Sequence, residues 1–389
     1  MGFNHGQHGR HEQFIKAVRS KLFTFLFITV GMYSYAADAP VFSGVLNTTL
    51  TTGAGTGALP DFYWGLEEYA NLRLKKSLGD YGSVYMAFNL IAAGGVSALA
   101  LQTGPFGVST PGSTDGGVNS NYAAAMELER LYVHLTGEKI AFDGGLMRLA
   151  FGYGNVFSPT DYFNPKNPLY PDARQRAVLG ANVIVYPTDM LSLQFFGVGP
   201  KDPFKLNGAG VSGGLALENH WKRMSAQFLY SIEAAEESAH NFGLSLKADL
   251  PVGITADVLW TYQQEEDASI EGLAASAGLD YSFSIATHTV YLLAEYLYNG
   301  SKSKMTGYAN HHYLYGTARL SIDDYTSVTV GAFAGFESLS VVPLVSFSTD
   351  LFQGAALTLQ AQIPLGDGEL GAKAANSYFV FTTKLSIKL

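Results

Sequence analysis

The side chains able to do chemistry here are arginines and carboxylates crowded into two neighbouring stretches. Residues 127–134, Glu-Leu-Glu-Arg-Leu-Tyr-Val-His, put Glu127, Glu129 and Arg130 into one short run. The segment from Gly145 to Pro165 carries Arg148 and Asp161, with Pro159, Pro165 and several Asn, Asp and Ser turn-formers. Asp172, Arg174 and Arg176 follow. Guanidinium–carboxylate forks are strong and directional. They would tie an irregular loop down, either folded inward as a constriction or held outside. They would also bind ions and polar solutes, but they break no bonds by themselves.

Bond-breaking chemistry is poorly supported. The chain has no cysteine, which excludes disulfides, thiol catalysis, Cys-ligated zinc and iron–sulfur clusters. His-x-x-x-His and His-Glu-x-x-His spacings are absent, and His134, His220, His240 and His288 are dispersed. His311 and His312 are adjacent, so in a strand they point to opposite faces. The Gly-x-Ser-x-Gly spacing falls once, at Gly210–Gly214, where the alternating run over 211–219 continues as a strand with no helix pattern after it, so it makes no nucleophile elbow, and there is no Gly-x-x-x-x-Gly-Lys phosphate loop. We expect no catalytic residue, no metal and no cofactor.

The elements that must position these residues are strands. Phe242, Leu244, Leu246, Ala248 and Leu250 share one parity, while Asn241, Ser245, Lys247 and Asp249 share the other. Ile254, Ala256, Val258, Trp260 and Tyr262 then oppose Thr255, Asp257, Thr261 and Gln263. The period of two recurs along the chain over 9–13 residues at a time. That length fits the roughly 9–11 residues that cross a bilayer at a tilt better than the roughly six of a sandwich strand. Short turns alternate with longer polar loops, the rhythm of a membrane barrel. The periodicity predicts strands over 41–51, 65–76, 83–92, 122–134, 138–150, 176–186, 190–198, 211–219, 222–233, 239–250, 254–263, 272–282, 287–299, 311–322, 326–336, 339–348, 355–364 and 376–388. This is an all-β fold, a single transmembrane antiparallel β-barrel of 16–18 strands. Eighteen is the best count, and an even number puts both termini on the periplasmic side.

Composition agrees. Charged residues are 15% of the 389, well below the roughly 25% of a soluble domain, which could not cover a water-exposed surface. With 24 basic and 33 acidic residues the net charge is −9, which argues against nucleic acid as a partner. Arg10, Lys16, Arg19 and Lys21 precede a short apolar run, Leu22–Val30, and a Ser34-Tyr35-Ala36 triplet. We read residues 1–36 as a signal peptide and 37–389 as the barrel domain. His5, His8 and His11 leave with the signal and are no metal site. Removing four bases and one acid leaves 20 and 32, a net charge of −12.

Sending the apolar faces to lipid sends Glu67, Asn71, Arg73, Lys75, Lys247, Asp249, Asp257, Glu295 and Arg319 inward, with Tyr85, Tyr291, Tyr313 and Tyr315. The candidate lumen and constriction residues are Arg148, Asp161, Arg174, Arg176, Glu127, Glu129, Arg130, Lys247, Asp257, Glu295 and Arg319. Arg130 has the wrong parity to face inward with Glu127 and Glu129 unless a bulge intervenes. Acids at Glu233, Glu236, Glu237, Glu265, Glu266, Asp267 and Glu271 cluster at one rim, so we expect weak selectivity, slightly cationic at low salt. The expected function is passive diffusion or uptake of small solutes across an outer membrane. The alternative is a structural or adhesive surface barrel with an occluded lumen.

The run from Glu127 to Arg176 resembles bacterial outer-membrane porins of the alginate-export and long-chain-substrate kind. The residues that carry the likeness are Arg148, Gly152, Gly154, Phe157, Pro159, Asp161, Phe163, Asn164, Pro165 and Arg176, with Ser158 departing from the pattern. The resemblance implies a transport barrel. In its acidity and its Tyr and Phe content the chain also resembles spirochaetal outer-membrane barrels. The last strand ends Phe379, Phe381, Leu385, Ile387 and Leu389 on one parity, and 379–389 resembles the terminal signal read by the barrel-assembly machinery. The implied partners are outer-membrane lipid, that machinery and small solutes. The sequence leaves the oligomeric state open.

Overall fold

A computed structural model describes residues 39–55, 61–98, 122–164, 177–199, 210–234, 238–263, 270–305, 308, 311–366, 368, 370 and 377–389. The expected signal peptide, Asp172, Arg174, Arg176 and most of the acidic rim residues lie outside this set.

Eighteen strands form one sheet. They are β1 (Val41–Gly55), β2 (Tyr63–Ser77), β3 (Gly82–Gly95), β4 (Tyr122–Thr136), β5 (Ile140–Met147) and β6 (Val178–Thr188). Next come β7 (Leu191–Val198), β8 (Val211–Trp221), β9 (Met224–Ala234), β10 (Ala239–Asp249), β11 (Gly253–Gln263) and β12 (Leu273–Ile285). The last are β13 (His288–Asn299), β14 (His312–Ser321), β15 (Thr326–Gly335), β16 (Ser340–Phe352), β17 (Ala355–Gln362) and β18 (Ser377–Lys388). Each strand pairs antiparallel with its sequence neighbours. β1 closes the barrel by pairing with both β2 and β18, so Thr49 lies between Glu67 and Lys384. Closure is what a lipid environment demands, since an open edge there would leave N–H and C=O groups unpaired.

The expected strands all form, each within a few residues of its expected ends, and none of them merge. One difference matters. The strand expected over 138–150 stops at Met147, and Arg148 onward leaves the sheet.

Burial gives the facing directly. Leu244, Leu246, Leu279, Leu292, Leu314 and Leu320 are exposed on the outside, while Asn71, Asn89, Asn241, Ser245, Asp257 and Glu295 are buried inside. A barrel that is apolar outside and polar inside is a bilayer-spanning barrel. Trp64, Tyr122 and Tyr296 stand outward near the long-loop rim, and Tyr186, Trp221 and Tyr325 are exposed near the short-turn rim. These are the aromatic belts at the two water boundaries.

The parity conflict in β4 is resolved by a bulge. Ala87 pairs with Arg130 but Phe88 pairs with Leu128, so Glu129 is the extra residue. Before the bulge, Glu127 lies on the inward face opposite Asn89. After it, Arg130, Tyr132 and His134 lie inward.

The facing predicts a sharp contrast in tolerance. Leu279→Arg, on the outer belt, should destabilise the folded barrel by about 2–4 kcal/mol. Ser282→Arg, on the inner face of the same strand, should change it by less than about 1 kcal/mol. Urea titration of the heat-modifiable band in lipid vesicles measures both.

Candidate functional site: an inward segment and the wall it leaves open

After Met147 the chain turns into the barrel and crosses its interior. Six consecutive amides of this segment are received by side chains from three alternate strands. Gly152 N–H donates to Gln227 on β9 at 2.8 Å. Tyr153 and Gly154 N–H donate to the Asp257 carboxylate on β11, at 3.2 and 2.9 Å. Asn155, Val156 and Phe157 N–H donate to Glu295 on β13, at 2.7, 2.8 and 2.8 Å. Dimensions explain the match. Four strand spacings of about 4.8 Å span about 19 Å, and five extended residue steps of about 3.3 Å span about 17 Å. Asp257 and Glu295 are 0% and 1% exposed, so they hold the segment and do not face open water.

Glycine is required at two places. Gly152 sits at φ 82°, and a Cβ there would strike Thr160, Ser158 and Asp257. A Cβ at Gly154 would collide with the Phe157 carbonyl. The Gly-x-Gly spacing thus lets the backbone lie against the carboxylate.

Apolar contacts clamp both ends. Leu149 and Phe151 pack with Phe196, Val198, Ala216 and Leu229. Phe157 packs with Leu297, Tyr313, Tyr315, Phe333, Val342 and Leu344, beneath Met305 and Leu370 of the long-loop side. The return leg is hydrogen-bonded too. Ser158 Oγ donates to Asp257 at 2.7 Å, Thr160 pairs with Ser245 at 3.0 Å, and Tyr162 pairs with Ser231. Asp161 accepts from Phe151 N–H at 3.3 Å, and Asn164 donates to the Leu149 carbonyl. Tyr153 donates its hydroxyl to Glu218 at 2.5 Å. Burial, reinforced by the Glu218 carboxylate, pushes that phenol far up, so it stays a donor at any physiological pH.

The segment therefore lines the wall from β7 to β16. The facing wall, β17–β18 and β1–β4, carries large charged and polar side chains. Glu129 is 7% exposed and accepts from Arg148 at 2.6 Å, which joins the segment's stem to β4. It also pairs with Arg130 at 3.2 Å and accepts from Asn71. Arg73 donates to Asn71, and Asn89 donates to Glu127 at 3.0 Å. Arg130 lies over the Tyr85 ring, 4.7 Å from its centroid, and Tyr85 lies 5.4 Å from Tyr132. Lys247, 3.2 Å from Asp249, and the exposed Arg319 face inward elsewhere and belong to neither cluster. Sequence reasoning missed the small polar seat on β9–β12, formed by Gln227, Ser231, Ser245 and Ser276. The signal was there: serines recur at inward positions of β9, β10 and β12, and charged residues at inward positions of β2 and β4.

No protein-family model and no curated protein matches the chain. Solved structures match in fold. The outer membrane protein OpdK of Pseudomonas aeruginosa superposes with a TM-score of 0.54 at 10% identity, over 91% of this chain and 100% of that one. A BenF-like porin from Pseudomonas fluorescens Pf-5 gives 0.55 at 10% identity, over 90% and 99%. Wzi of Escherichia coli, an outer membrane protein of group 1 capsule assembly and a carbohydrate-binding β-barrel, gives 0.55 at 10% identity, over 89% and 84%.

Removing the anchors should loosen the segment while leaving the barrel standing. In Glu295→Ala three amides lose their acceptor, and the buried one, Phe157 N–H, should cost about 1–3 kcal/mol. Single-channel recordings should then show flicker and a larger mean conductance than wild type, with heat-modifiable migration retained. Glu295→Gln, which keeps one acceptor oxygen, should fall between the two.

Proposed function

We propose that the chain is an outer-membrane channel for passive diffusion of small hydrophilic solutes, with residues 1–36 as its export signal. The observation that carries this reading is the asymmetry of the interior. One half is filled by the anchored segment, and the other half keeps a charged and polar wall whose side chains bond to one another. A polar wall of both signs suits water and small solutes, and it gives nothing for an apolar cargo to hold. Likeness to a BenF-like porin and to OpdK supports the same reading.

The wall also suggests a preference. Inward residues on β18 to β5 and the stem include the bases Arg73, Lys75, Arg130, Arg148, Lys384 and Lys388. The acids there are Glu67, Glu127, Glu129 and Asp143, so bases outnumber acids by six to four. Of the rim acids expected to attract cations, Glu233 is paired with Lys304 at 2.5 Å and Glu271 with Lys302 at 3.4 Å. The acidic mouth is weakened where it is described, so the balance moves from slightly cationic to slightly anionic. Arg148, Arg130 and Arg73 are the residues proposed to meet the solute's negative group at the narrowing. Arg174 and Arg176 remain proposed contributors from outside the described residues.

A second reading has one observation behind it. The Tyr85–Tyr132 pair beside Arg130 is a platform on which a sugar ring could stack, and Wzi binds carbohydrate. In that reading the barrel holds a saccharide and conducts poorly.

Planar-bilayer recording under a KCl gradient separates the two. A channel gives discrete conductance steps and a reversal potential mildly favouring chloride at low salt. The preference should nearly vanish at 1 M, where the Debye length is about 3 Å. Arg148→Ala should lower the low-salt preference. Repeated insertion without any conductance step would favour the carbohydrate-holding barrel.

A further inference from the structure

Of the Asp, Glu, Lys and Arg residues within the described strands, two fall on the outward face. Lys76 is the penultimate residue of β2, at the short-turn rim. The other is Glu68, whose β2 neighbours of the same parity are Leu66 and Ala70. It lies four residues from Trp64, whose half-exposed indole marks the belt near the long-loop rim. Four tilted residue steps carry it about 10 Å into the apolar band. A carboxylate at that depth is costly in hydrocarbon, and ionisable residues in a membrane ordinarily face a polar partner. Among the described residues Glu68 accepts one hydrogen bond, from Thr48 Oγ1 at 2.8 Å. A carboxylate has about four acceptor sites, so most of its capacity points outward.

The surrounding face is suited to close approach. Outward neighbours of Glu68 on β3 and β4 are Ala92 and Ala124, and Thr52 and Thr383 add hydroxyls on β1 and β18. Strands β1–β4 are 14 or 15 residues long, the tallest wall of the barrel. Five strands, β18 and β1–β4, at about 4.8 Å spacing and a belt about 25 Å high present about 600 Å². Two such faces bury about 1,200 Å², the lower edge of stable interfaces. The patch holds both an acceptor and donors, so a two-fold axis along the membrane normal makes it complementary to itself.

We infer that this outward face of β18 and β1–β4 is a contact surface between two copies of the chain. Glu68 of each copy accepts a hydrogen bond from threonine hydroxyls of the other. The inference depends on the barrel spanning a bilayer and not on what passes through it.

The absence of native cysteine makes the test direct. Full-length chains carrying Ala92→Cys, or Leu279→Cys on the far wall, are produced in outer-membrane vesicles and treated with a short flexible bis-maleimide. Ala92→Cys should give a covalent dimer on a denaturing gel, and Leu279→Cys should give little. Adding Glu68→Leu to Ala92→Cys removes one charge-assisted hydrogen bond from each copy and should lower the dimer association constant about a hundredfold, at about 1.4 kcal/mol per decade for each of the two bonds. Heat-modifiable migration checks that each variant folds, and Ala124→Cys replaces Ala92→Cys if that variant does not. Equal yields at Ala92 and Leu279, or a dimer fraction indifferent to Glu68→Leu, would overturn the inference. Monomer throughout would assign the Glu68 face to lipid and overturn it as well.

Discussion

Two buried carboxylates receiving five consecutive backbone amides set the interior of this barrel. Without Asp257 and Glu295, the amides from Tyr153 to Phe157 would be polar groups pressed against a wall with no partner. With them, an irregular segment more than 100 residues away in sequence becomes a fixed wall lining. Each buried charge is offset by several N–H donors in place of a single counter-ion, which suits a carboxylate that cannot reach water. Gly152 and Gly154 follow from this contact, because only a chain without Cβ atoms there can lie so close. The Phe157 and Phe151 clusters then fix the two ends, and among the described residues the segment's backbone hydrogen bonds leave the other half of the wall to its own side chains.

That remaining half has a different character because its side chains never had to make room. At the seat the short inward side chains are Ser231 on β9, Ser245 on β10 and Ser276 on β12. On β2–β4 Asn71, Arg73, Asn89, Glu127, Glu129 and Arg130 bond among themselves, with Arg148 of the stem added. Arg148, on the segment's stem just past β5, pairs with Glu129 on the neighbouring strand β4 and so ties the segment to that cluster.

The strands were legible in the sequence because lipid outside and polar surface inside impose a period of two. The parity conflict between Arg130 and the two acids was legible as well, and the bulge at Glu129 is how the strand resolves it. The clustering of Glu127, Glu129, Arg130 and Arg148 could be read from spacing, although their pairing could not. The inward course of residues 148–164 was not legible. Pro159 and the Asn, Asp and Ser turn-formers shape an external loop equally well, and the deciding contacts come from strands far along the chain. For the same reason Asp257 and Glu295 looked like wall charges facing water. Glu68 escaped notice because one residue of wrong parity is easily passed over in an otherwise regular alternation.

The central claim is that water and solutes pass between the inward segment and the β1–β4 wall. Single cysteines placed in this cysteine-free chain test it through conductance. Thr49→Cys faces the open half, and Ser245→Cys lies behind the segment against Thr160. A small charged thiol reagent added during single-channel recording should reduce current stepwise at Thr49→Cys and leave Ser245→Cys unchanged. Equal block at both positions, or block at Ser245→Cys alone, would contradict the account.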